Sequence, residues 1–284
     1  MMQNILLAVS GLGHAEEMLK SMEEIPSIQR AKVTILHVVP PQTTAEIMTA
    51  KWEEGGRILA SAIQKLQLNP NQVNSVLRQG EPKDIVCQVA DEINADLIIM
   101  GSRGLKRLQS ILANSVSQYV FQLSRRPMLL VKDDIYVKAI NRVMVAVDKS
   151  EASQYCLDLA LSLLRDIKGG ELILTHVMTD LKSPSAETAQ LNSEKHPILA
   201  AAANEAQKQG VSSRSILSIG KPGEKICNLA EEMNVDLLLV GSPDRRPSIA
   251  KNFVDLDKLI GASLSDYVRI NATCPVLLAR TAAD

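Results

Sequence analysis

The sequence predicts a doubly wound α/β fold, built twice in one chain of 284 residues. Three observations predict it. Short apolar runs rich in Val, Ile and Leu alternate with longer amphipathic stretches, the pattern of parallel strands separated by crossover helices. Residues 80–102 and 220–242 share ten identities in twenty-three positions at a constant offset of 140, and a self-match that dense marks a duplication. Continuous apolar runs such as Leu97-Ile-Ile-Met100 and Leu237-Leu-Leu-Val240 suit central strands covered on both faces.

Taken in order, copy one is expected to carry strands near 3–9, 32–38, 73–78, 96–100 and 127–131, with helices around 14–29, 44–67, 82–94 and 114–124. The first strand rests on Ile5-Leu-Leu-Ala-Val9, answered in copy two by Val143-Met-Val-Ala-Val147, and the second ends on His37-Val38, answered by His176-Val177. Pro26 falls inside the first helix and is expected to end or kink it, since an interior proline costs about 3 kcal/mol. Pro82 and Pro222 each follow a glycine-containing turn and fit the first turn of a helix, where a missing N–H costs nothing. Tyr119, Pro127 and Leu129-Leu130 recur as Tyr267, Pro275 and Leu277-Leu278. Copy two is accordingly expected to place strands near 142–147, 171–177, 212–218, 236–240 and 275–279, and helices around 151–167, 187–209, 222–234 and 262–272. The offset grows from 138 through 140 to 148, so one loop of copy two, between Gly241 and Ser263, is longer by about eight residues. Domain limits of 1–135 and 140–284 follow, joined by a short segment without low-complexity character.

A formal net charge of −1 without long like-charge runs argues against nucleic acid or an anionic membrane surface as partner. An aromatic content of 2% leaves little to stack bases on. No apolar stretch approaches the roughly 20 residues that span a bilayer, and the N-terminus lacks the basic flank and length of a signal peptide. Cys87, Cys156, Cys227 and Cys274 form no Cys-x-x-Cys pair, which suits reduced, buried thiols and a cytoplasmic location.

Open parallel sheets bind ligands where strand carboxyl ends meet helix N-termini. In copy one three loops converge there: residues 10–13, 38–41 and 101–115. The third reads Gly101-Ser102-Arg103-Gly104, then nine residues, then Asn114-Ser115-Val116 opening a helix. Glycine at both ends of the turn lets backbone approach a ribose or phosphate, and a helix start offers free N–H groups to an anion. The loop is not a P-loop. Lys106 and Arg107 add positive charge beside it, while Arg103 suits a phosphate contact and a solvated loop position equally.

Ala8-Val9-Ser10, His37-Val38, Gly80-x-Pro82, Asp96-Leu-Ile-Ile-Met-Gly-Ser102 and Asn114-Ser-Val-Ser117, ending in Pro127-Met-Leu-Leu-Val131, resemble the universal stress protein family over both copies. The resemblance implies two tandem Rossmann-like domains of the adenine nucleotide alpha hydrolase-like kind, each a five-stranded, mainly parallel sheet with helices on both faces. It also implies a stress-responsive regulatory protein binding ATP, with Mg²⁺ arriving on the nucleotide. ATP-binding members resemble Gly-x2-Gly-x9-Gly-Ser/Thr, with an Asp closing the first strand and a backbone contact to adenine after the second. Carried over residue by residue, the resemblance expects nucleotide at Ala8, Val9, Ser10, Val38, Met100, Gly101, Arg103, Gly104, Asn114, Ser115 and Val116. Ser10 stands where the family has Asp, and Asn114 where it has a third Gly; Asn tolerates left-handed backbone and caps helices.

Copy two keeps Asp148, Val177, Gly241 and Ser263, but Asp244 and Ala262 replace the second and third glycines. An acid facing phosphate is unfavourable, although Arg245 and Arg246 could pair phosphates from the inserted loop. Copy one is therefore the main expected site, and copy two its scaffold. His37 and His176 fit strand-end packing better than ligation, and Trp52 fits packing better than base stacking. No metal-ligand spacing and no catalytic constellation stand out. A nucleotide-free assembly protein remains the alternative, and a slow ATP hydrolase a weaker one. The apolar last strands need covering, and the family resemblance implies that the copies pair through them as a dimer-like unit; two chains associating is a further expectation.

Overall fold

The computed structural model describes residues 2–11, 15–66, 68–102, 116–132, 135–179, 193–242 and 263–280. It divides into two compact units, Met1–Lys138 and Ala139–Asp284.

In unit 1 the elements run β1 (Asn4–Ala8), α1 (Ala15–Ser21), α2 (Pro26–Gln29), β2 (Lys32–Val39), α3 (Ala45–Lys65), β3 (Val73–Gln79), α4 (Pro82–Glu92), β4 (Leu97–Ser102), α5 (Val116–Leu123) and β5 (Met128–Lys132). The sheet order is β3-β2-β1-β4-β5, and every pairing within it is parallel. Unit 2 repeats the plan with β6 (Arg142–Ala146), α6 (Glu151–Leu164), β7 (Glu171–Met178), α7 (Pro197–Lys208), β8 (Ser212–Ile219), α8 (Pro222–Glu232), β9 (Leu237–Gly241), α9 (Leu264–Asn271) and β10 (Val276–Ala279). Its order is β8-β7-β6-β9-β10, again parallel throughout. The central strands are apolar because both faces are covered: Ile5, Leu6 and Leu7 in β1 and Leu237, Leu238 and Leu239 in β9 are all fully buried.

Much of the internal repeat turns out to be scaffold chemistry. One carboxylate oxygen of Asp96 accepts the N–H groups of Gln3 at 2.7 Å and Asn4 at 3.0 Å, tying the start of β1 to the start of β4. Asp236 does the same for Asn141 at 2.9 Å and Arg142 at 2.8 Å. Asn94 and Asn234 turn the chain out of α4 and α8 in the left-handed region, at φ 48° and 49°, a conformation that Asn adopts far more readily than branched residues. Pro82 and Pro222 open α4 and α8 in the first turn.

Two helices depart from their expected bounds, both at proline. The helix expected over 14–29 splits, α1 ending at Ser21 and Pro26 opening α2, because the proline ring cannot continue a turn it has not begun. The helix expected over 187–209 begins at Pro197, preceded by a single 3-10 turn at Ser193–Lys195; residues 187–192 lie outside the described residues. In each unit the first strand lies between the second and the fourth. The crossovers leave it in opposite directions, and this opens a crevice at the carboxyl ends of β1 and β4.

Candidate functional site

A cavity of about 790 Å³ opens in that crevice of unit 1. Seven of the eleven residues expected there line it: Ala8, Val9 and Ser10 from the end of β1, Val38 from β2, Met100 and Gly101 from β4, and Val116 from the start of α5. The other four, Arg103, Gly104, Asn114 and Ser115, lie outside the described residues, as do Lys106 and Arg107. Three of the four lining segments meet because parallel pairing aligns their strand ends, Leu36 opposite Ala8 and Ala8 opposite Met100.

The structure adds wall residues that spacing alone did not reveal, chiefly His37, Lys51, Glu54, Ile58, Ser102 and Ser117. Lys51, Glu54 and Ile58 share one face of α3 by their spacing of three and four, a signal present in the sequence but without a partner to assign it to. Lys51 Nζ sits 2.7 Å from Glu54 Oε2, both side chains half-exposed. The Lys51 hydrogen bond and charge hold the Glu54 carboxyl below the usual carboxylate range. Ile58 packs on the turn after β1. Gly11 there has φ +77°, and a Cβ on it would come 3.0 Å from Ile58 Cδ1. His37 Nδ1 lies 2.8 Å from the Val9 carbonyl oxygen, so the strand-end histidine does cross-link β2 to β1, as packing predicts, while also forming part of the cavity wall.

The same place in unit 2 is differently furnished. Asp148 accepts both the N–H and the hydroxyl of Ser150 on Oδ1, and its own N–H donates to Ser153 Oγ at 2.9 Å. Ser150 in turn caps α6 through the Ser153 N–H at 3.1 Å. Gly241 is needed for close approach: a Cβ there would meet Ser153 N at 2.7 Å and Ala152 C at 2.8 Å. Ser263 caps α9, accepting from the Asp266 N–H at 3.2 Å and donating to Asp266 Oδ2 at 2.8 Å. A hydroxyl chain continues from Ser263 through Ser265 to Ser242, each step 3.1 Å. Val177 pairs with Ser218 on β8. His176 repeats the histidine cross-link, 2.7 Å from the Val147 carbonyl, and its ring is stacked on His196 with centroids 4.8 Å apart. Asp244, Arg245, Arg246 and Ala262 lie outside the described residues.

A further cavity of about 970 Å³ in unit 2 lies at the other ends of the strands, beside Arg142 and Glu171, the first residues of β6 and β7. It shares none of the expected residues. Among the described residues no group of three or more His, Cys, Asp or Glu could hold a metal ion, and no helix is long and apolar enough to cross a membrane.

The model of the Universal stress protein family matches residues 1–132 and again 139–280. Universal stress protein YxiE of Bacillus subtilis is 30% identical over 148 residues, 46% of this chain and 100% of the relative. Universal stress protein Sll1654 of Synechocystis is 28% identical over 135 residues, 46% of this chain and 86% of the relative. A crystal structure of a universal stress protein from Archaeoglobus fulgidus superposes with a TM-score of 0.75 at 21% identity, covering 98% of this chain and 96% of that one, a likeness of fold.

Proposed function

Because the chain belongs to the universal stress protein family, once in each half, we propose that it is a nucleotide-responsive regulatory protein whose first unit binds an adenine nucleotide. The observation that carries the reading is the convergence of Ala8, Val9, Ser10, Val38, Met100, Gly101 and Val116 on one cavity of about 790 Å³. That volume suits a small-molecule ligand, and the cavity lies at the carboxyl ends of parallel strands, where fixed backbone N–H groups and small side chains favour a phosphate-bearing one. The turn after β1 and the end of β4 would take ribose and phosphate, and the apolar tip of β2 the base. ATP is the expected nucleotide, with Mg²⁺ held largely by its phosphates, since unit 1 has Ser10 where a carboxylate would otherwise stand.

Unit 2 acts as the scaffold in this proposal. Its Asp148 carboxylate is engaged by Ser150, and Asp266 already supplies a negative charge to the first turn of α9, where a phosphate would otherwise be favoured. Pairing of the two copies through their last strands, association of two chains, residence in the cytoplasm and a role under stress belong to the same proposal. Binding rather than turnover is its core, and slow hydrolysis would be incidental.

The test is the nucleotide released on denaturing freshly purified protein, identified by chromatography and counted per chain. About one adenine nucleotide per chain is expected. Two per chain would assign a site to unit 2 as well. None, together with no binding of added ATP and Mg²⁺, would overturn the reading and leave an assembly role for the fold. Gly104→Val should abolish binding by blocking backbone approach.

A further inference from the structure

His37 is held by β1 on one side and α3 on the other. Its Nδ1 faces the Val9 carbonyl oxygen at 2.8 Å. A carbonyl only accepts, so Nδ1 carries the hydrogen, and in the neutral ring Nε2 is then a bare acceptor. The far side of the ring lies under Gly55, where a Cβ would come 2.9 Å from His37 Cδ2 and 2.8 Å from Leu77 Cδ1. A glycine inside a helix costs about 1 kcal/mol against alanine, and here it clears the space that the imidazole occupies. Nδ1 is thus engaged within the sheet, and the ring forms part of the cavity wall.

His37 shares the cavity wall with Glu54, Val38, Val39 and Ile58. Lys51 Nζ, 2.7 Å from Glu54 Oε2, holds the Glu54 carboxyl below its usual range. This side of the cavity therefore carries two acceptor-bearing side chains, His37 and Glu54, beside an apolar wall, with the Lys51 ammonium engaged by Glu54. Such a wall attracts an aromatic edge bearing N–H donors and repels one bearing a carbonyl oxygen.

Resting on the proposal that the cavity binds a purine nucleotide, we infer that His37 is a specificity-determining residue whose Nε2 accepts a hydrogen bond from the exocyclic amino group of a 6-aminopurine. The cavity then selects adenine over 6-oxopurines. In unit 2 the equivalent His176 makes the same carbonyl bond, but its ring is stacked on His196.

The experiment measures binding of ATP and ITP by titration calorimetry to the full chain, as wild type, His37→Asn and His37→Phe. An Asn amide can still donate to the Val9 carbonyl but places no acceptor at the position of Nε2, and Phe keeps the ring without nitrogen. The wild type should prefer ATP by about tenfold, the loss expected for one hydrogen bond exchanged for facing acceptors. Both variants should hold ITP as the wild type does and bind ATP no better than ITP. Equal wild-type affinities, or an ATP preference surviving in a folded variant, overturn the inference while leaving the cavity's function intact. Binding of neither nucleotide by the wild type overturns the functional proposal itself. Should both variants fail to fold, the ¹⁵N signal of His37 Nε2 in the wild type decides: it should move with ATP and not with ITP, and no such difference overturns the inference.

Discussion

Gly241→Ala separates a packing glycine from a ligand glycine. The added Cβ would stand 2.7 Å from Ser153 N, 2.8 Å from Ala152 C and 3.0 Å from Ala152 O. These are backbone atoms of the first turn of α6, which cannot rotate aside. Restoring ordinary contact requires the start of α6 to retreat by roughly 0.7 Å or more, and that turn is tied down by the Ser150 cap and the bond between Asp148 N and Ser153 Oγ. Overpacking of this kind costs about 1–3 kcal/mol, and stretching the cap adds to it. In urea, with a slope of about 1–3 kcal/mol per molar, the midpoint of the transition should fall by on the order of 1 M. Far-UV circular dichroism of the full chain without added nucleotide measures it. A shift equivalent to less than about 0.5 kcal/mol, within the range of an ordinary surface change, would refute the packing argument and return Gly241 to the role of admitting a ligand.

Three other outcomes follow from the geometry. His196 stands at the N-terminal end of α7, and burial first, then the charges of His176 and Lys149, holds its imidazole below the usual value. A folded-state value below the unfolded one means that the unfolded chain binds the proton more readily. The contribution is present above the ordinary imidazole value of about 6.5 and is lost as pH falls through it towards the folded value; the thermal midpoint should drop on acidification from pH 7.5 to 5.5, and less so in His196→Asn. The Arg269 and Asp266 side chains are 2% and 9% exposed and sit 3.8 Å apart, too far for a hydrogen bond. Arg269→Phe with Asp266→Gln, the residues copy one carries as Phe121 and Gln118, should be neutral or stabilising by denaturation, whereas Asp266→Ala alone should cost about 3–5 kcal/mol. Burial raises the Cys156 thiol to about 12 and the Cys87 thiol to about 11, so peptide mapping after iodoacetamide treatment at pH 8 should find both unmodified until the chain is unfolded.

The strands were legible because they rest on strong signals. Apolar runs such as Leu97-Ile-Ile-Met100 admit few alternatives, and aligned parallel strands must bring residues 8–10, 38 and 100–101 together. The α3 side of the cavity was not legible. His37 looked like a packing residue and is one, but the same bond to Val9 that makes it structural also fixes its tautomer, a consequence that needs the 2.8 Å distance. Pro26 interrupts the first helix, as its place inside the pattern predicts, whereas the helix expected from 187 opens, among the described residues, only at Pro197. The identical Asp96 and Asp236 belong to the motif by which the family resemblance is recognised, yet each accepts two backbone N–H groups at a strand start, so their recurrence speaks for the scaffold and not for a ligand.

The divergence of the copies is better understood as a change of charge than as a change of fold. Both keep the strand order, the histidine cross-link and the aspartate at the fourth strand. At the start of the last helix, however, unit 2 places Asp266 in a reciprocal cap with Ser263, where unit 1 carries the neutral Gln118. A helix N-terminus is worth about half a positive charge to a nearby anion. In unit 2 that charge is met from within the chain, and an incoming phosphate would face a resident carboxylate in addition to losing the attraction. The acid at position 266, where copy one has Gln118, thus adds negative charge at that helix start of unit 2 without moving a strand.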